Sequence, residues 1–312
     1  MKTCTSASGK IILSGEHAVV YGFPALVTAI NCRAKVFLEE NNNGISVYPS
    51  FARIFILAGL KRIEKILKTE FRGFNLYIDS KIPVGSGMGS SAAIAVCLSA
   101  AILHYKKFPL DLERINELAY EMEKINHGKP SGVDNAVSTY GGFLWFRKES
   151  EKFKIFSKVV PEKKLPKLLI VDSGKPEETT RDMVFLVSEK YKRHPKKVEK
   201  IFLRIEDITK AFLQYILNEK KLVLRELIKE NERLLEELGV VSDSTKALIK
   251  EIEKLGGAAK ISGAGGRKTN SGVVITYHQN NDVLLDFAKK KNLKVFPVRL
   301  GMKGVKIEKD KI

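Results

Sequence analysis

The sequence predicts an α+β protein folded in two lobes, and three observations carry that reading. Short β-like runs alternate with helical stretches as far as residue 157. A polar, Pro-bearing stretch, VVPEKKLPK at 159–167, then breaks the pattern. Beyond it, 195–255 reads as nearly continuous helix and is followed by three further strand-like runs. A chain of 312 residues is long enough for roughly two domains. The break therefore divides it into 1–165 and 166–312.

Taken in order, KIIL (10–13), ALVTAI (25–30), AKVFLE (34–39) and ISVY (45–48) are strand-like, with NNNG at 41–44 as a turn. Residues 51–69 have helical spacing, and FNLYI (74–78) returns to a strand. SSAAIAVCLSAAILHYKK (90–107) is Ala-rich and strongly helical. Asp111 is placed to cap a second helix, LERINELAYEMEKI, that stops near Gly128. GGFLWF (141–146), FKIFS (153–157) and LLIVD (168–172) are strands. Three helical segments break near Asn218 and at GVVSDS (239–244). AAKIS (258–262), SGVVITY (271–277) and LKVFPV (293–298) complete the second lobe as strands.

Composition narrows the function classes. Hydrophobic residues make up 44%, ample for a core, yet no run of 18 apolar residues suggests a membrane span. The first 20 residues carry Glu16 and His17 where a signal peptide would be apolar, so a cytoplasmic location is expected. Cys4, Cys32 and Cys97 lie far apart without metal-ligand spacing, which suits buried thiols in a reducing compartment. The net charge is +18, but Lys is dispersed along the chain and mixed with Glu. There is no Arg-rich block and no basic stripe interleaved with aromatics, so no nucleic acid partner is expected. With only two glutamines, Gln214 and Gln279, the bias resembles that of heat-adapted proteins.

Three stretches carry chemistry. The first is PVGSGMGSSAA (83–93), flexible residues set directly before a helix. A helix N-terminus presents unpaired N–H groups and the positive end of the macrodipole. Glycines let a phosphate approach that backbone without Cβ clashes. Ser90 and Ser91, in the first turn, can cap the helix or offer a hydroxyl to phosphate or Mg²⁺. No Gly-Lys-Ser/Thr follows, so this is no Walker A loop, and the acidic residue of a dinucleotide fingerprint is missing. A flexible loop with an ordinary Ser cap is the plainer alternative.

The second stretch is GKIILSGEHAVVYGFPAL (9–26). It delivers Lys10, Glu16 and His17 within eight residues, a set suited to the carboxylate and hydroxyls of a hydroxy acid. The third is EKINHGKPSGVDN (123–135), in which Glu123 ends a helix and a Gly-Pro-Gly loop presents Asp134. One carboxylate can hold Mg²⁺ while the other faces a substrate hydroxyl, the division of labour that phosphoryl transfer needs. A solvated helix-end Glu and a capping Asp is the plainer alternative.

Together and in this order, the three stretches resemble the three signatures of the GHMP kinases, the galactose, homoserine, mevalonate and phosphomevalonate kinase superfamily. GEHAVVYG (15–22) and HGKPSGVDNAVSTYGG (127–142) are most similar to its mevalonate-phosphorylating branch. The resemblance implies an N-terminal ribosomal protein S5-like α/β lobe and a C-terminal ferredoxin-like α+β lobe with the site between them. It implies phosphorylation of the 5-hydroxyl of mevalonate by ATP with Mg²⁺, with phosphomevalonate or another small alcohol as the alternative acceptor. A non-catalytic sugar- or nucleic-acid-binding relative is the rival from another class. Such relatives tend to lose the acidic pair, and this chain keeps it. A homodimer and no membrane partner are expected.

Residue by residue, the resemblance assigns Pro83, Gly85, Gly87, Met88, Gly89, Ser90 and Ser91 to ATP. It assigns Ser91 and Glu123 to the metal, and makes Asp134 the base or the group that orients the hydroxyl, with Lys10 as its partner. Glu16, His17 and Thr180 are assigned to mevalonate. Three positions depart from the family pattern. Met88 replaces the usual Leu, and Glu178 stands where many relatives have Arg. RKTNSG (267–272) extends the last glycine motif, KISGAGG (260–266), before its strand. That extension is expected to be a solvated insertion.

Overall fold

The structure is a computed structural model that describes residues 2–128, 130–219 and 221–308. The expected α+β architecture is present as two antiparallel-rich sheets with helices between and around them.

The first sheet has seven strands. Its centre is two long strands, β1 (Lys2–Ser14) and β2 (Ala25–Glu40), where the sequence suggested shorter runs. Both are almost wholly buried along their first halves, so apolar and small residues continue without alternation. β3 (Ile45–Tyr48) runs parallel to β4 (Phe74–Ser80), and β4 pairs with the far half of β2. β5 (Phe143–Lys148) pairs with the near half of β2 and carries β6 (Lys154–Val159). Helices α1 (Arg53–Leu67), α2 (Ser90–Tyr105) and α3 (Leu112–His127) pack as a layer beside this sheet. α2 is buried on nearly every side, which explains its run of Ala. Asp111 caps α3 as expected, accepting from the N–H groups of Glu113 and Arg114.

Asp134, expected on a Gly-Pro-Gly loop, stands instead in a helix that the local pattern of residues 133–140 does not announce. These residues form α4 (Val133–Tyr140), seated by Val133, Ala136 and Val137 on Val27, Leu144 and Phe146 of the sheet. With only eight residues and several β-branched side chains, it has little helical signal of its own. Tertiary burial supplies what propensity lacks.

The second sheet has the order β10–β7–β9–β8, all antiparallel: β7 (Leu168–Asp172), β8 (Ala258–Ile261), β9 (Val273–Tyr277) and β10 (Val295–Val298). Its helices are α5 (Thr180–Arg193), α6 (Pro195–Ile216), α7 (Leu224–Leu238), α8 (Asp243–Lys254) and α9 (Asn281–Lys290). α5 was not read from periodicity, although a Thr179–Asp182 capping box marks its start. The chain then returns to the first sheet, where β11 (Lys306–Ile307) pairs with β1. One apolar cluster runs from Ile11 and Leu26 through Phe202 and Phe212 to Ile275, so the lobes share a core. The three cysteines are free, and Cys4 and Cys97 are buried.

Candidate active site

The site is built where β1 meets the glycine loop. The pairing of β1 with β2 slips between Ser8 and Lys10, at Gly9. An added Cβ on Gly9 would lie 3.0 Å from the Met88 carbonyl oxygen, so a side chain here would press on the backbone of the loop. The Lys10 N–H donates to that oxygen at 3.0 Å, and the irregular strand aims the Lys10 side chain at α4.

The loop itself holds Gly85, Gly87 and Gly89 at φ of 75°, 84° and 73°, the left-handed region that favours glycine. Gly89 is the N-cap of α2 and has no side chain to cap it, so Ser90 and Ser91 are the first helical residues and not its cap. The first-turn N–H groups therefore remain directed at the loop. The Met88 side chain is buried in the core; this residue enters the loop through its backbone. Ser86 folds back on the Pro83 carbonyl at 2.8 Å. A Cβ on Gly87 would come 2.6 Å from the Ser262 carbonyl oxygen, so the second glycine motif lies directly on the first.

Around this loop stand the two carboxylates. α3 carries Glu123, which is buried and accepts from the Ser91 hydroxyl at 3.2 Å. Asp134 lies in the first turn of α4, and Lys10 Nζ stands 3.2 Å from its Oδ1. Burial first, then the neighbouring Asp134 charge, pushes the Glu123 carboxyl up to about 8. Among the described residues, the Ser90 hydroxyl is buried without a protein partner.

On the other side of Lys10, Gly15 turns the chain sharply at φ 106°, with the Pro24 carbonyl oxygen only 2.5 Å from where a Cβ would be. His17 follows at φ 60°. Its Nε2 lies 3.0 Å from the Ala264 carbonyl oxygen, which can only accept, so this nitrogen carries the proton. Burial lowers the His17 pKa to about 4. The Glu16 carboxylate turns inward to the ammonium of Lys260 on β8. Burial pushes the Glu16 carboxyl above its ordinary range, and Lys260 opposes that push. Lys260 is the residue that sequence reasoning missed. Its only signal was a charged residue inside a short apolar strand, AAKIS.

The structure thus gathers Lys10, Ser91, Glu123 and Asp134 at the glycine loop, with Glu16 and His17 one turn of chain away. Thr180 is exposed at the start of α5, and among the described residues its hydroxyl makes no hydrogen bond. The 267–271 segment differs from a free insertion. The side chains of Arg267, Lys268 and Thr269 are exposed, but the Arg267 and Lys268 N–H groups donate to Glu178 at 3.3 and 3.2 Å. Ser271 is buried and donates to the Gly266 carbonyl.

A helix N-terminus under a glycine loop, faced by a lysine and two carboxylates, defines a small-molecule phosphotransferase. Residues 55–142 match the family of GHMP kinases N terminal domain. A mevalonate kinase of Archaeoglobus fulgidus is 36% identical over 271 residues, 84% of this chain and 88% of that one. The Methanococcus jannaschii mevalonate kinase structure is 25% identical, with a TM-score of 0.80 over 96% of this chain and 98% of its own. The L. major mevalonate kinase solved with R-mevalonate, 23% identical, shares the fold at a TM-score of 0.82, covering 97% of each chain. The chain belongs to the mevalonate kinase family of the GHMP kinases.

Proposed function

We propose that this protein transfers the γ-phosphoryl group of ATP to the 5-hydroxyl of (R)-mevalonate, giving 5-phosphomevalonate and ADP for isoprenoid biosynthesis. The observation that carries the reading is the Lys10–Asp134 pair, 3.2 Å apart, standing beside the Ser91–Glu123 pair at the glycine loop.

The glycine loop, 83–91, binds the triphosphate through backbone N–H groups. Phosphoryl transfer asks for position and charge neutralisation more than for covalent chemistry. Asp134 accepts a hydrogen bond from the 5-hydroxyl and aims its oxygen along the line of attack. Lys10, already on Asp134, favours the alkoxide character that develops on that oxygen. His17, neutral, offers Nδ1 as an acceptor; Glu16, sealed against Lys260, shapes the turn that carries His17, and the family resemblance assigns Thr180 to the mevalonate side.

The donor set at α3 suits Mg²⁺. A buried carboxylate, a Ser hydroxyl 3.2 Å from it and the orphaned Ser90 hydroxyl supply hard oxygen ligands where a second negative charge, Asp134, makes the local potential more negative and so more favourable to a cation. Ser91 and Glu123 would hold the ion, which supplies charge neutralisation to the phosphates.

ADP release with (R)-mevalonate, with phosphomevalonate and with ATP alone tests the reading. Mevalonate-dependent turnover supports it. Turnover only with phosphomevalonate, or none above the ATP control, overturns it. The family resemblance supports a cytoplasmic homodimer and a domain division at 165/166. Light scattering of the purified protein tests the dimer. Among the described residues, no helix is long and apolar enough to cross a membrane.

A further inference from the structure

The 12–17 segment belongs to the first lobe by sequence, but its hydrogen bonds that involve side chains go to the second. Ser14 Oγ lies 2.7 Å from Thr209 Oγ1 on α6. The Ile12 N–H donates to Ser262 Oγ at 2.9 Å. His17 donates to the Ala264 carbonyl. At the centre, the ammonium of Lys260 meets Glu16 and also donates to the carbonyls of Ile12 at 3.3 Å and Ile261 at 2.7 Å. Lys260 and Glu16 are each 1% exposed.

Lys260 is itself braced from behind. Glu232, buried on α7, accepts from the Ile261 N–H at 2.9 Å and so fixes the backbone next to Lys260. Three ionisable groups from α7, β8 and the Gly15 turn thus meet across the seam between the lobes. All three donors of the ammonium are used within the protein: a lysine has three N–H donors, and three oxygens accept them. It therefore has none left for substrate.

We propose that Lys260 is a positioning residue for the acceptor side of the site. It acts by holding the Glu16 carboxylate, and through it the turn that places His17. Buried ion pairs are weak sources of net stability but strongly constrain geometry when their hydrogen bonds are satisfied. A charge on a second-lobe strand that must meet a charge on the first-lobe turn makes the width of the acceptor pocket depend on how the lobes sit. The nucleotide loop is held by β1 and α2 and by the Val273 N–H on the Ser86 carbonyl at 3.1 Å, contacts that do not include this pair.

The inference rests on the reading of residues 16 and 17 as the mevalonate side, and the two fail differently. Failure of that reading shows as a wild-type protein without mevalonate-dependent ADP release. The inference is tested by KM for mevalonate and for ATP in Lys260→Met, Glu16→Gln and the double variant, with melting temperature recorded for each. Lys260→Met is expected to raise mevalonate KM tenfold or more while ATP KM stays within threefold. Lys260→Arg, which keeps the charge, is expected to recover part of that rise. The double variant, which buries no unpaired charge, is expected to fold better than either single variant and to show the mevalonate KM of Glu16→Gln alone. If Lys260→Met does not fold, the comparison of Glu16→Gln with the double variant decides. A lowered melting temperature with unchanged mevalonate KM overturns the proposal. So does a double variant whose mevalonate KM is normal, or rises well beyond that of Glu16→Gln.

Discussion

Two lysine–carboxylate pairs flank the same short strand end, and they differ in one respect. In the Lys10–Asp134 pair the lysine side chain is 3% exposed, but the aspartate is 35% exposed. In the Lys260–Glu16 pair the side chains are 1% and 0% exposed. The first pair is open on its acidic side, so a substrate hydroxyl can reach a carboxylate whose charge is held in place. The second is sealed on both sides, and its energy goes into geometry. The same chemical pair thus serves reaction in one place and architecture in the other, and solvent access to the carboxylate makes the difference.

The sharpest way to break this comparison is at the open pair. Asp134→Asn keeps the shape and removes the charge. It should lower kcat by about 10²–10⁴, the span usual for groups acting in proton transfer, and cost less stability than the loss of Glu16 at the sealed pair, because the open carboxylate reaches solvent. Near-normal turnover would remove Asp134 from the reaction. At the sealed pair the effects should be reversed in kind. Glu16→Gln strands a buried ammonium and should cost about 3–5 kcal/mol of stability by denaturant unfolding. A loss below about 1 kcal/mol would mean that water reaches the pair.

The sealed side also carries a pH signature. His17 has a folded pKa of about 4 against 6.5 when exposed, so between these values the unfolded chain binds the extra proton. Its contribution is fully present above pH 6.5 and is lost as pH falls toward 4, by about 3 kcal/mol in total. Glu123 and Glu232, both pushed up to about 8, slope the opposite way. The measurement is therefore the difference in unfolding free energy between wild type and His17→Asn across pH 4–7. A flat difference would show that His17 is hydrated.

A smaller effect is expected where the open pair meets the metal ligands. Glu123→Gln should raise the Mg²⁺ concentration for half-maximal rate by roughly tenfold, about 1.4 kcal/mol, because a hard cation prefers a charged oxygen. Ser91→Ala should shift it the same way by less. Identical Mg²⁺ titrations for wild type and both variants would place the metal elsewhere. The smallest effect belongs to the 267–271 segment. Arg267 and Lys268 have exposed side chains; their backbones are tied to Glu178, and the Lys268 ammonium makes one exposed ion pair with Glu177 at 3.7 Å. Replacing both by Ala should leave the KM for ATP within about threefold, or ~0.65 kcal/mol. A rise of tenfold at fixed ionic strength would bring this segment over the nucleotide.

By itself, the sequence determined the class of the fold and the chemistry of the open pair. Strands 74–80, 168–172 and 258–261 and helices 90–105, 112–127, 195–216, 224–238 and 243–254 follow from local pattern. Gly85, Gly87 and Gly89 announce a left-handed loop because few other residues adopt it. Such features depend on neighbours within a few positions, and a sequence displays them directly. Only the tertiary structure decided that Asp134 stands on a helix, since the eight residues of α4 gain their stability from Val27, Leu144 and Phe146 far along the chain. It also decided that Glu16 faces a lysine 244 residues away and not solvent. Burial and long-range charge pairing are properties of the packed molecule. A glutamate in a glycine-flanked turn reads the same in sequence whether its partner is a substrate, water or Lys260.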